Sequence, residues 1–170
     1  GVREAFKRKN ELYELFWPSK PEFVRMAAKF DAIIVPFAAV GAEDSFDIVQ
    51  DADDLLNGVF GESVRERANK MPKARVNDDF RDDEELFIQP VAVPKIPERF
   101  YFRFMAPIDL SDVDLDDEES VKAVYANVKN EVASGIEYLR AKRASDPFKD
   151  LAPRLLYERA TSAQAPTFVP

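Results

Sequence analysis

The run Ala32-Ile33-Ile34-Val35-Pro36-Phe37-Ala38-Ala39-Val40-Gly41 leaves a folding chain few choices. It is β-branched, continuously apolar rather than alternating, and stopped by glycine, which is the pattern of a strand buried on both faces. Just before it, Ser19 stands where a helix N-cap belongs. Pro21 and Glu22 suit a first turn, and Phe23, Val24, Met26, Ala27 and Phe30 recur at helical spacing, so a helix is expected over 20–30. A helix feeding a buried strand defines an α/β unit.

Other segments attach to that unit. Residues 3–14 read as a loop and a helical turn leading to a short strand that Pro18 closes. Phe46, Ile48, Val49, Ala52, Leu55 and Leu56 predict an amphipathic helix from Asp44 to about Leu56. Gly58, Gly61, Pro72 and the acids of 77–85 mark 58–86 as a flexible insertion, with a helix over 64–71 as the alternative. The prolines of 89–97 fit an edge segment or loop, and 100–105 reads as an aromatic strand ending at Ala106-Pro107-Ile108.

The clearest helix spans 116–143, with acids in its first turn and Arg140, Lys142 and Arg143 in its last. Its apolar stripe is Val121, Val124, Tyr125, Val128, Val132, Ile136 and Leu139. A shorter helix over 148–159 and an extended tail complete the chain.

Composition removes whole classes of function. A hydrophobic content of 46% over 170 residues supports a folded core, and a net charge of -8 argues against a nucleic-acid binder, whose affinity rests on clustered Lys and Arg. No cysteine is present, so disulfides and thiolate metal sites are excluded. No histidine is present either, so these residues supply no imidazole base, no His-containing triad and no His-ligated zinc. No apolar run approaches the roughly 20 residues of a membrane span, so any membrane contact is peripheral.

Ordered blocks of the sequence carry a resemblance. Gly1-Val2-Arg3-Glu4-Ala5-Phe6-Lys7-Arg8-Lys9 resembles the end of the Pro-Gly-Gly-x-Arg-Glu-Ala block of the diacylglycerol acyltransferase type-two group. Tyr13-Glu14-Leu15-Phe16-Trp17-Pro18, the segment 22–30, Ile34-Val35-Pro36-Phe37 and Val40-Gly41-Ala42-Glu43-Asp44 resemble the plant phytyl ester synthase-like acyltransferases, in the same order. So do 94–102, Ala106-Pro107-Ile108, 141–147, 152–157 (where Pro153 departs from the pattern) and the terminal 165–170.

The resemblance implies an α/β fold, the C-terminal part of a glycerolipid acyltransferase-like domain covering 1–170, with a mixed sheet flanked by helices and a long C-terminal helix. It implies transfer of a fatty acyl group from acyl-CoA, acyl carrier protein or a galactolipid to phytol or diacylglycerol. The setting it implies is the chloroplast, at a plastoglobule, thylakoid or lipid-droplet surface, with no cofactor. The family's catalytic His-x4-Asp motif precedes the glycine block and is absent here, so the chain is expected to be a fragment and inactive alone. A sheet that has lost strands would also expose apolar surface and associate.

Within that resemblance the substrate-binding candidates are Gly1, Arg3, Glu4, Pro36 and Phe37. A glycine-opened loop followed by arginine can bring N–H groups and a guanidinium to developing negative charge, while Pro36 would stiffen a strand exit and Phe37 offer apolar surface to an acyl chain. The bland alternatives are an exposed turn pair for Arg3 and Glu4, and plain buried strand for Ile33, Ile34 and Val35. Arg8 reads as solvent-facing. Glu43 and Asp44 are either paired acid/base groups or helix-start acids, and the acids of 78–85 read as solvated rather than calcium-binding. Phe100, Tyr101, Phe102 and Phe104 are core by default and a lipid groove otherwise. The rival function is a non-catalytic lipid- or protein-binding module docking through helix 116–143.

Overall fold

The computed structural model describes residues 7–18, 20–71, 87–96, 98–111 and 113–168. The fold is mixed α/β, with small antiparallel sheets flanked by helices and a long helix toward the C-terminus. The chain divides into two compact units, one made of 1–20 and 46–95, the other of 21–45 and 96–170.

In the first unit, β2 (Phe46–Gln50) pairs antiparallel with β3 (Val91–Pro94), in the register Phe46↔Pro94 to Gln50↔Val91 with an irregularity after Ile48. The helix expected over 44–56 is therefore wrong in its first half. Adjacent β-branched Ile48 and Val49 favour the strand, and the helix start is fixed later, at Asp51. Asp51 Oδ1 accepts from Asp54 N at 3.0 Å and Asp54 Oδ2 accepts from Asp51 N at 3.1 Å. This capping box sets α2 (Ala52–Asn57).

Helix α3 (Gly61–Asn69) follows at once, so the first part of the expected insertion is ordered, and it starts earlier than the 64–71 alternative. Residues 72–86, including the acids of 78–85, lie outside the described residues. Ala52, Ala68 and Ile88 form a small core, with Leu55, Leu56 and Val64 packed against it. Among the described residues 7–18 there are turns but no helix or strand, against the short strand expected there. Lys9 bridges to Asp54, and Arg8 Nε lies 3.5 Å from Asp53, so Arg8 is paired rather than simply solvent-facing.

In the second unit α1 (Glu22–Lys29) is shorter than expected, and its N-cap is Pro21, whose carbonyl accepts from Val24 N and Arg25 N; Ser19 lies outside the described residues. Asp31 turns left-handed (φ 51°) and Ala32 N returns to Ala27 O at 2.9 Å, which ends the helix. Then β1 (Phe37–Val40) pairs antiparallel with β4 (Tyr101–Phe104), Phe37 opposite Phe104 and Val40 opposite Tyr101. The pairing extends through Ile34 and Ile108, which exchange bonds of 3.1 and 2.8 Å.

The long helix α4 (Glu118–Ser145) packs across β1. Of its expected stripe, Val121, Tyr125, Val128, Ile136 and Leu139 are buried and Val124 and Val132 half-buried. Gly135 was not part of that stripe, yet a Cβ there would stand 2.9 Å from Ala38 Cβ and 3.1 Å from Met105 Sδ, so helix and sheet meet at a glycine. Helix α5 (Leu151–Thr161) starts later than expected and carries Pro153 in its first turn, where the missing N–H has no helical partner to lose.

Candidate functional site

The 32–41 run is not a strand buried on both faces. Its burial alternates: Pro36, Ala38 and Val40 are buried, while Ile33, Val35, Phe37 and Ala39 face out. On the partner strand Tyr101 is buried, and Arg103 turns toward α4, its guanidinium carbon 4.0 Å from the centre of the Tyr138 ring. Phe102 and Phe104 turn the other way. The expectation that the aromatic residues of 100–105 are core therefore holds for Tyr101 and fails for Phe100, Phe102 and Phe104, which are all exposed. A two-stranded ribbon has two faces, and α4 covers only one.

The open face is apolar from end to end. Phe37 is 55% exposed, Phe102 62% and Phe104 72%, and the rings of Phe37 and Phe104 lie 5.8 Å apart, tilted by 32°. Ile33 and Val35 continue it beyond the ribbon's end. Pro36 is buried beside this surface and its carbonyl accepts from Met105 N at 2.9 Å, which joins the strands where four residues of one (34–37) face five of the other (104–108). Pro36 thus holds backbone, and Phe37 presents a ring. Gly1, Arg3 and Glu4 lie outside the described residues.

Charged groups near the ribbon are engaged with each other. Gly41 has a φ of +120°, and a Cβ there would fall 2.6 Å from the Phe100 ring and 2.7 Å from Arg99 O, so the chain turns only with glycine. In the turn that follows, the Arg143 guanidinium donates to both Asp44 and Glu98. Asp44 therefore ties this turn to α4. Ser45 Oγ donates to Gly41 O at 3.1 Å.

A second cluster secures the tail. Arg99 donates to Pro166 O at 2.7 Å and Ala165 O at 2.9 Å, and its Nη1 lies 3.5 Å from Asp146 Oδ2. Tyr101 Oη donates to the same carboxylate oxygen at 2.6 Å, while Phe168 stacks on the Tyr101 ring at 5.6 Å. Burial first, then the bond to Asp146, pushes the Tyr101 hydroxyl well above the usual tyrosine range. Protonated and already donating, it is no base.

Sequence reasoning missed both clusters. In the sequence Arg143 is only a charge suiting a helix C-terminus, because Asp44 and Glu98, the carboxylates it meets, lie far away along the chain. Among the described residues no group of three or more His, Cys, Asp or Glu is placed to hold a metal, and no helix is long and apolar enough to cross a membrane. What the described residues of this ribbon offer is an exposed apolar surface.

Comparison with known proteins points to one kind of enzyme. No family model matches the chain, and no solved structure matches it. Over 173 residues it is 43% identical to phytyl ester synthase 2, chloroplastic, of Arabidopsis thaliana, an alignment covering 99% of this chain and 25% of that protein. It is also 37% identical over 177 residues to phytyl ester synthase 1, chloroplastic, of the same plant, covering all of this chain and again 25% of the relative. The chain thus spans a quarter of the length of these curated relatives, and it is along its whole length that it is similar to the phytyl ester synthases.

Proposed function

We propose that this chain is part of a phytyl ester synthase-like acyltransferase of the chloroplast, which transfers a fatty acyl group to a lipid alcohol, phytol or diacylglycerol. The observation that carries the reading is similarity to two phytyl ester synthases across the whole chain. The donor would be acyl-CoA, acyl carrier protein or a galactolipid.

In this reading the chain binds and the chemistry is completed elsewhere. Acyl transfer needs a base to take the proton of the acceptor hydroxyl as its oxygen attacks the acyl carbonyl and the donor's thiol or alcohol leaves. No histidine lies in these 170 residues, so the His-x4-Asp pair would come from sequence outside them. Arg3, in its glycine-opened loop, would face the polar end of the substrates with Gly1 and Glu4. The open face of Phe37, Phe102 and Phe104 would hold hydrocarbon, a match of apolar surface to apolar chain.

The rival, a module docking through helix 116–143, is less well supported because the stripe of α4 is already buried in its own unit. The test is an assay with labelled acyl donor against phytol and diacylglycerol, run on this chain and on the whole protein that contains it. The whole protein should form ester and the chain alone should not. Absence of ester from the whole protein, or turnover by the chain alone, contradicts the proposal.

A further inference from the structure

Helix α5 buries no residue of its own, and Leu155 and Leu156 on it are 51% and 71% exposed. A helix in a folded unit is ordinarily held by an apolar face set into a core, so α5 needs another tether. One end is anchored by the turn before it. Asp146 Oδ1 accepts from Phe148 N at 2.8 Å, Arg99 N donates to Lys149 O at 3.0 Å, and the Phe148 and Tyr157 rings meet at 4.8 Å. The other end is secured from outside the helix. Ser162 turns left-handed (φ 54°) and sends the chain back to Ala165, which is 2% exposed. The Ala165 N–H donates to Glu158 Oε1 at 3.1 Å and its carbonyl accepts from Arg99 at 2.9 Å, so one residue bridges α5 to the start of β4. Pro166 O takes a second bond from Arg99, and Phe168 lies against Tyr101 and, edge-on at 6.2 Å, against Tyr138 of α4. Among the described residues, no side chain of α5 hydrogen-bonds directly to β1, β4 or α4.

We infer that α5 and the strap 162–168 form a latched arm, which opens as one piece about the turn at 146–150 while the ribbon and α4 stay folded. Local openings range from near zero up to the global stability, according to how much each segment buries. Opening the arm breaks the two carbonyl bonds from Arg99 and unstacks one half-buried ring, Phe168, with the Ala165–Glu158 bond holding strap to helix as they move. Helix α4, by contrast, cannot leave without uncovering Val121, Tyr125, Val128, Ile136 and Leu139. The arm is therefore the first part of this unit to let go. Once it is open, Tyr101 and Tyr138 lose the ring that lies against them and Arg99 presents two donors released from the strap, so the latch switches this corner between a covered and an uncovered state. The inference rests on packing and does not depend on acyl transfer.

Hydrogen exchange of the whole protein, followed by mass spectrometry on peptides from 118–145, 151–161 and 162–168, tests it. The α5 and strap peptides should exchange together, faster than the α4 peptides and at rates that low denaturant leaves unchanged. Phe168→Ala and Glu158→Ala should each speed exchange of both arm peptides about tenfold and leave α4 unmoved. Glu158→Gln, which keeps an acceptor oxygen, should exchange like the parent. An arm that exchanges only when α4 does, a strap that exchanges freely while α5 stays protected, or an arm that either alanine variant leaves at the parent's rate overturns the inference. So does equal acceleration of α4 in the alanine variants, which would make these contacts part of the global fold, and so does a Glu158→Gln variant as fast as Glu158→Ala. Exchange requires no turnover, so these outcomes stay separate from those of the acyl-transfer assay.

Discussion

Replacing Tyr101 by Phe removes one oxygen and keeps a ring that is buried between α4 and the tail. The lost bond, 2.6 Å from Tyr101 Oη to Asp146 Oδ2, runs to a carboxylate whose side chain is 2% exposed. Hydrogen bonds to charged groups contribute about 1.5–3 kcal/mol. Asp146 would keep Arg99 at 3.5 Å and the Phe148 N–H at 2.8 Å, so the loss should fall near about 2 kcal/mol. In a chain of this size that corresponds to roughly 4–8 °C in Tm. The pH dependence gives an independent signature. The folded-state hydroxyl titrates above its unfolded value of about 10, because burial and Asp146 both favour the neutral form. Its contribution is complete below about pH 10 and is lost as pH rises above that. Melting of the parent should therefore fall more steeply above about pH 10 than melting of Tyr101→Phe. A Tm within about 1 °C of the parent at neutral pH, with the same alkaline slope, would refute the assignment of this bond as a clamp.

The other expectations concern single contacts. Gly135→Ala should gain up to about 1 kcal/mol of helix propensity and lose more to the 2.9 Å approach to Ala38, giving a net loss on denaturant unfolding. Arg143→Ala removes the guanidinium between Asp44 and Glu98 and should destabilise by about 2 kcal/mol, read by the same unfolding curves, with Arg143→Lys intermediate. In the whole enzyme, Arg3→Ala should lower acyl transfer far more than folding stability. Arg67, exposed on α3, is a better matched control than the ion-paired Arg8. Equal losses for the Arg3 and Arg67 variants would make Arg3 structural.

Helices with a long apolar period were legible from sequence because the period itself reports one covered face. The stripe Val121 to Leu139 gave α4 nearly to its ends. Short elements were not, since tertiary pairing decides them: Phe46 to Gln50 fits a helical period and a strand equally, and the capping box at Asp51 settles the matter. The 32–41 run misled for another reason. Continuous apolarity suggests burial on both faces, yet α4 covers only Ala38 and Val40, and Phe37 stays open beside Phe104. Of the candidate site, Pro36 and Phe37 could be placed on that ribbon, while the ion pairs of Arg99 and Arg143 join segments too far apart in sequence for any local pattern to reveal.

That open face can be altered without touching the core, which makes it the most direct test of whether it receives the hydrocarbon of a substrate. Phe37→Ser with Phe104→Ser should leave Tm within the range of ordinary surface changes, about 0.5 kcal/mol in stability, because both rings are more than half exposed. In the whole enzyme the measurement is kcat and KM for phytol against a short-chain alcohol. The double variant should raise KM for phytol about tenfold or more while KM for the short alcohol hardly moves. Equal effects on both alcohols, or none on either, would contradict a hydrocarbon-binding role for the Phe37–Phe104 face.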